Sequence, residues 1–201
     1  PTMALNNLEL FLAVCRRARG TFYALLAENP EIIKLIVSLF ATSQFLSRGF
    51  IQHPEILDAL VSRAHAAEAG DIDVINRRLA GLLAEARHYE EQLEVLRRFR
   101  NEEFLRIALD DLYGHTPQGS TTRQLSILAD ACLTQALAVA RAELIPRFGL
   151  PFCTDGEGQE HEAAFAIIGM GKLGGMELNY HSDLDIIFIY EGNGETRPVE
   201  G

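Results

Sequence analysis

Two carboxylates two residues apart, Asp183 and Asp185, open an apolar run from Leu184 to Tyr190, and a glycine-rich stretch from Gly169 to Gly175 precedes them. On a strand, residues two apart face the same side. The pair can therefore converge on Mg²⁺, a hard cation suited to oxygen ligands, while Leu184 and Ile186 pack behind. Such a cation completes its six-fold coordination with phosphate oxygens and water. A two-metal arrangement would bridge nucleotide phosphates, activate an attacking hydroxyl and stabilise departing pyrophosphate. Glycines at 174 and 175 let backbone amides approach phosphate without a Cβ in the way. Lys172 can pair with a triphosphate, and Ser182 can hydrogen-bond a phosphate or fix the turn.

Three readings compete for this stretch. Gly169-Met170-Gly171-Lys172-Leu173-Gly174 fits the dinucleotide-binding pattern GxGxxG, with Glu191 standing about 20 residues on as a ribose-binding acid. Against it, the connection from Gly175 to Ser182 is polar and shorter than the roughly 10–12 residues a βαβ crossover needs. A phosphate-binding Walker loop fails because Leu173 follows Gly171-Lys172 where Ser or Thr is required, and Ala166 holds the first glycine position. A nucleotidyltransferase site accounts for the most residues: glycine turn, short connection, then Asp-Leu-Asp. Plainer roles exist for each residue. The acids can be solvated turn residues, Lys172 a surface lysine, Ser182 and His181 turn residues, and Tyr180, Asn179 and Glu177 supports.

The site needs two strands to hold it, and Ala163–Ile168 and Leu184–Tyr190 read as buried strands because both are almost wholly apolar. Before them the chain reads as helices. Leu5, Leu8, Leu12 and Cys15 share one helix face. Asn29 before Pro30-Glu31 marks a helix start, and His53 before Pro54-Glu55 repeats the layout without a strong cap. A longer helix spans Tyr89 to Leu112, with Leu93, Leu96, Phe104, Ile107 and Ala108 inward and Arg98, Glu102 and Arg106 outward. Gly114 and Pro117 end it. Ser120-Thr121-Thr122 can cap the next helix, whose stripe is Leu125, Leu128, Ala129, Cys132, Ala136, Val139 and Ala140, and Pro146, Gly149 and Pro151 stop it. Residues 154–162, TDGEGQEHE, read as an exposed linker, and the ending EGNGETRPVEG as a polar tail with nothing to pack. The expected organisation is α+β: a helical domain over 1–153, the linker, and the first strands of a second domain over 163–201.

Composition narrows the function. The 201 residues are 48% apolar, enough for a real core, and the net charge of -10 disfavours nucleic acid as a partner. No run of about 18 apolar residues and no basic-then-apolar start occur, so membrane insertion and export are not expected and the cytoplasm is the default location. Cys15, Cys132 and Cys153 form no CxxC pair and have no histidine at zinc-ligand spacing, which reads as structural thiols.

The string GMGKLGGMELNYHSDLDIIFIY resembles, almost residue for residue, the signature GxGKLGGxELxxxSDxDLIFxY of glutamate-ammonia ligase adenylyltransferases. The departures are small: Ile186 for the commoner leucine, and His181 at a variable place. Upstream, LLAENPEIIKLIVSLFATSQFLSRGFIQHPEILDAL and LRRFRNEEFLRIALDDLYG also look like helical segments of this family. The resemblance implies a polymerase-β-like nucleotidyltransferase domain, here truncated, in one of two related halves. One half adenylylates glutamine synthetase from MgATP, and the other removes AMP by phosphorolysis. The helical segments look more like the C-terminal, adenylylating half. By resemblance Asp183 and Asp185 are metal ligands, Gly174 and Gly175 form the nucleotide turn, and a third carboxylate lies beyond Gly201. Glutamine synthetase is the implied partner, with the PII signalling protein as a second candidate. The rival reading is a catalytically incomplete regulatory module.

Overall fold

A computed structural model describes residues 2–15, 27, 30–52, 54, 72–112, 114, 116–117 and 119–198. The start signals at Asn29 and His53 lie outside the described residues. The chain divides into two compact units, Pro1–Ala67 with Asn101–Gln118, and Glu68–Arg100 with Gly119–Gly201.

In the first unit, α1 (Thr2–Cys15), α2 (Pro30–Thr42) and α3 (Gln44–Gln52) gather around the second half of α5 (Tyr89–Leu112). Pro30 stands at the first helical position, where its missing N–H costs nothing. The core holds Phe11, Cys15, Ile36, Leu39, Phe40 and Phe50 with Leu105 and Leu109. Three of its rings meet edge-on or tilted, Phe11–Phe40 at 5.5 Å, Phe11–Phe50 at 5.1 Å and Phe40–Phe50 at 6.0 Å. On α1 the fully buried line is Asn7, Phe11 and Cys15, with Leu8 and Leu12 at its flank, whereas Leu5 is exposed, contrary to its expected place on the face. Asn7 earns its burial chemically. Its Nδ2 donates to the Phe40 carbonyl at 3.1 Å, one of the last carbonyls of α2, which the break at Ser43 leaves without a helical partner.

Arg106 was expected outward and is not. Its Nε donates to Glu103 Oε2 at 2.8 Å and its Nη1 to Asp110 Oδ2 at 2.7 Å, while Glu103 is only 1% exposed. A buried carboxylate needs a cation beside it, so Arg106 turns in. In the other half of α5 the buried residues are Val95 and Phe99, with Leu93 and Leu96 only half-buried.

In the second unit, α4 (Ile72–Glu85) packs Ile75, Leu79 and Leu83, four residues apart, toward α6 (Ser120–Phe148). Arg78 lies over the Phe99 ring at 5.4 Å. α6 buries Leu125, Ser126, Ile127, Leu128, Ala131 and Val139; Cys132 is half-buried and Ala136 exposed, so the expected stripe is rotated in its second half. No side-chain cap forms at its start: Gly119 takes the N-cap place, and Ser120 Oγ accepts from Gln124. Nor does Pro146 stop it. The proline sits in the last turn, and Gly149, at φ 88°, closes the helix with its N–H on the Ile145 carbonyl. By length and composition α6 could cross a membrane, a test that core helices of soluble proteins also pass.

The remainder is β structure. β1 (Leu150–Thr154) lies between β2 (Glu160–Glu162) and β5 (Gly194–Arg197), antiparallel to both. The expected linker over 154–162 is thus the turn and second strand of a hairpin, held by Asp155, whose Oδ1 accepts the N–H groups of Glu157 and Gln159 at 2.9 and 2.8 Å. The expected loose tail is β5. Arg197 lies over the Phe152 ring at 4.9 Å and pairs with Glu160. A Cβ on Gly194 would fall 1.8 Å from the Phe152 carbonyl oxygen, so only glycine fits that rung. β3 (Phe165–Gly169) and β4 (Ile186–Tyr190) form a separate two-stranded ribbon. Both were expected buried, yet Phe188 and Tyr190 are 60% and 61% exposed, because among the described residues no further strand or layer covers them.

α6 and the strands fall in the same compact unit.

Candidate active site

β3 and β4 pair antiparallel with Gly169 opposite Ile186 and Phe165 opposite Tyr190, the pairing expected of strands flanking the glycine turn and the aspartates. One further bond, Met170 N–H to the Asp185 carbonyl at 2.8 Å, carries the ladder past the last rung. Here the two strands part. The chain after Met170 coils into a single helical turn, α7 (Gly171–Gly174), and Asp183 and Asp185 lie in irregular chain just before β4 and are not its first residues. Gly171 has φ 52°, and a Cβ on it would lie 3.0 Å from Asp185 Oδ2. The Asp185 carboxylate thus stands against bare backbone.

Both aspartates are exposed, and neither carboxylate has a protein hydrogen-bond or ion-pair partner among the described residues. The donor set, two free carboxylates two residues apart, fits a hard divalent cation. The one three-membered cluster of potential metal ligands among the described residues lies elsewhere and includes neither aspartate.

The glycines do different work from that expected. Gly174 N–H donates to the Met170 carbonyl at 3.1 Å and Gly175 N–H to the Gly171 carbonyl at 3.0 Å, so both amides are engaged inside the turn. What Gly174 supplies is closeness: a Cβ there would meet the Gly169 carbonyl oxygen at 2.6 Å. Lys172 is exposed, and its carbonyl accepts Glu177 N–H at 2.7 Å. Ser182 fixes the turn. Its hydroxyl donates to Asn179 Oδ1 at 2.9 Å and accepts Asn179 N–H at 3.1 Å, and the same Oδ1 takes His181 N–H at 3.1 Å.

A cavity of about 360 Å³ opens between α6 and the ribbon, lined by Leu133, Leu137, Ala166 and Gly174 among others, and neither aspartate lines it. This cavity therefore holds Gly174 without either acid. Sequence reasoning also passed over Ser126. Its buried hydroxyl accepts Leu178 N–H at 3.2 Å and donates to the Thr122 carbonyl at 2.9 Å, tying the connection before the aspartates to α6. A serine inside the apolar stretch Leu125–Leu128 was the available signal.

The sequence pattern of the family described as glutamate-ammonia ligase adenylyltransferase matches residues 33–201. The chain belongs to that family. Among curated relatives, a protein of Nitrosococcus oceani is 35% identical over the whole chain, and one of Thioalkalivibrio sulfidiphilus 32% identical over the whole chain. A Shewanella oneidensis protein is 34% identical over 90% of it. Each of the three is called bifunctional glutamine synthetase adenylyltransferase/adenylyl-removing enzyme. The chain spans about a fifth of the length of these relatives.

Proposed function

We propose that the chain belongs to the catalytic part of an adenylyltransferase that moves AMP from MgATP to a tyrosine hydroxyl of cytoplasmic glutamine synthetase, under control of the PII signalling protein. In this reading the β3–β4 ribbon opens a polymerase-β-like nucleotidyltransferase domain. The observation that carries it is the pair of partner-free carboxylates behind a backbone pinned to the glycine turn. Asp183 and Asp185 would hold magnesium, which supplies charge neutralisation on the nucleotide phosphates and acidifies an attacking hydroxyl. The chain's own part is positioning. Met170 N–H fixes the Asp185 backbone, Gly171 keeps the space beside its carboxylate free of a Cβ, and exposed Lys172 is free to pair with phosphate.

The test uses a protein of the relatives' length that carries this sequence. With Mg²⁺ and α-labelled ATP it should label unmodified glutamine synthetase and release pyrophosphate, with no phosphate required. The relatives' names carry a second activity, and it has its own signature: phosphate-dependent formation of ADP from adenylylated glutamine synthetase, without labelling, would assign this half to AMP removal. Neither reaction would overturn the nucleotidyltransferase reading.

A further inference from the structure

At the end of β4 away from the aspartates, three side chains of different ligand types converge. Cys153 in β1 stands directly opposite His161 in β2, and Glu191 follows the last residue of β4. Cys153 Sγ lies 3.4 Å from His161 Nε2, and that nitrogen lies 2.9 Å from Glu191 Oε1. The three ligand atoms all fall within 4.8 Å of one another. The sequence shows no histidine at zinc-ligand spacing from a cysteine, yet Cys153 and His161, eight residues apart, become direct neighbours once the 155–159 turn folds the strand back.

A sulfur, an imidazole nitrogen and a carboxylate oxygen form a donor set that zinc favours. The spacing suits it. With ordinary zinc–ligand distances, tetrahedral geometry needs about 3.5 Å between sulfur and nitrogen and about 3.3 Å between nitrogen and oxygen. Cys153 already meets the first value, and the exposed Glu191 must withdraw by only a few tenths of an ångström to meet the second. A Cys–His–Glu nucleophile relay does not fit, because one nitrogen, Nε2, faces both the sulfur and the carboxylate, whereas a relay uses the two ring nitrogens separately.

The surroundings hold these groups in place. Glu191 Oε2 accepts Ala164 N–H at 3.0 Å, its own N–H donates to the Ala164 carbonyl at 3.0 Å, and Asp155 fixes the hairpin turn. A Cβ on Gly192 would touch Cys153 Cβ at 3.7 Å, so the backbone just after Glu191 runs beside the cysteine. Cys153 is buried, but the His161 and Glu191 side chains are 37% and 43% exposed, so a cation can enter from solvent. Without metal, burial and the neighbouring Glu191 raise the Cys153 thiol above its ordinary value, and the Glu191 hydrogen bond raises His161.

We propose that Cys153, His161 and Glu191 form a zinc site with a fourth position open to solvent, joining the β1–β2 hairpin to the end of β4. It is separate from the aspartate pair, since the extended run from Asp185 to Glu191 covers roughly 20 Å.

The test is made on the 201-residue chain stripped of metal with a chelator. Zinc should bind with one-to-one stoichiometry and raise the melting temperature. Cobalt, as a spectroscopic stand-in, should show a thiolate-to-metal absorption band. Cys153→Ser should lose that band, His161→Gln and Glu191→Gln should weaken zinc binding, and the Asp183→Asn/Asp185→Asn double variant should keep both the band and the zinc affinity. Circular dichroism of each metal-free variant checks that it folds, and the histidine and glutamate variants decide the matter should Cys153→Ser fail to fold. No cobalt band in the unaltered chain, full zinc affinity in His161→Gln and Glu191→Gln, or loss of the band in the aspartate double variant would overturn the proposal.

Discussion

Ser126, on the buried face of α6, accepts the backbone N–H of Leu178 at 3.2 Å, and both residues are almost wholly buried. Ser126→Ala would leave that N–H without its partner in a site water does not reach, at a cost of about 1–3 kcal/mol. The urea midpoint followed by circular dichroism should fall accordingly, and the Leu178 amide should exchange its hydrogen faster. Unchanged exchange at Leu178 would show that the bond does not hold this connection.

Asp183→Asn and Asp185→Asn remove charge but not volume from exposed positions, so thermal stability should hardly change. In the relatives-length protein each should lower adenylyl transfer by more than the roughly 10–100-fold typical of losing a metal's outer-shell partner. Near-normal rates in both would sink the metal assignment.

The two glycines of the turn should respond differently. Gly174→Ala would put a Cβ 2.6 Å from the Gly169 carbonyl oxygen, and relief would require the turn to lift from β3. A Cβ on Gly175 would meet the Gly171 carbonyl oxygen at 3.4 Å, in ordinary helical backbone with φ -82°. Melting curves of the two variants should show a clear loss for alanine at 174 and little change at 175. Equal losses would mean that the turn's backbone differs from the one described.

Charge pairs of equal length should differ by burial. Arg106→Met takes the guanidinium from Glu103, which is 1% exposed, and should cost roughly 3 kcal/mol. Arg97→Met breaks a pair exposed to 67% and 68%, and should cost less than about 1 kcal/mol. Denaturant midpoints of the two variants test the order.

What the sequence made legible was local. The Pro30 start, the extent Tyr89–Leu112 and the strand pair around the glycine turn follow from proline placement, helical periodicity and apolar runs. What it hid was long-range. Nothing near Arg197 announces that it pairs with Glu160, because TRPV in a polar context reads as tail until β1 is there to receive it. Arg106 reads as outward until the third dimension buries Glu103 beside it. Cys153 and His161 look unrelated at eight residues' spacing, since zinc-ligand patterns assume short loops and a β hairpin brings distant positions into register. In the candidate site, type and spacing singled out Asp183 and Asp185 as candidates. The engagement of the Gly174 and Gly175 amides was not legible, because GG names a permissive backbone without saying where its N–H groups point.

The ladder between β1 and β5 sets Leu150 opposite Arg197 and Cys153 opposite Gly194. Everything in the candidate site lies between those two strands in sequence, so the site-bearing segment is a loop zipped shut at its base. Closing a loop costs entropy before its contacts repay it, and the cost falls on whichever pairing spans the longest stretch of chain. On a ribosome, where the chain appears from its N-terminus, β1 must wait for β5 while the short β1–β2 and β3–β4 pairings form ahead of it. The aspartates would then be in place on their ribbon before the base of the loop is fastened, making the order of assembly a property of the chain's topology.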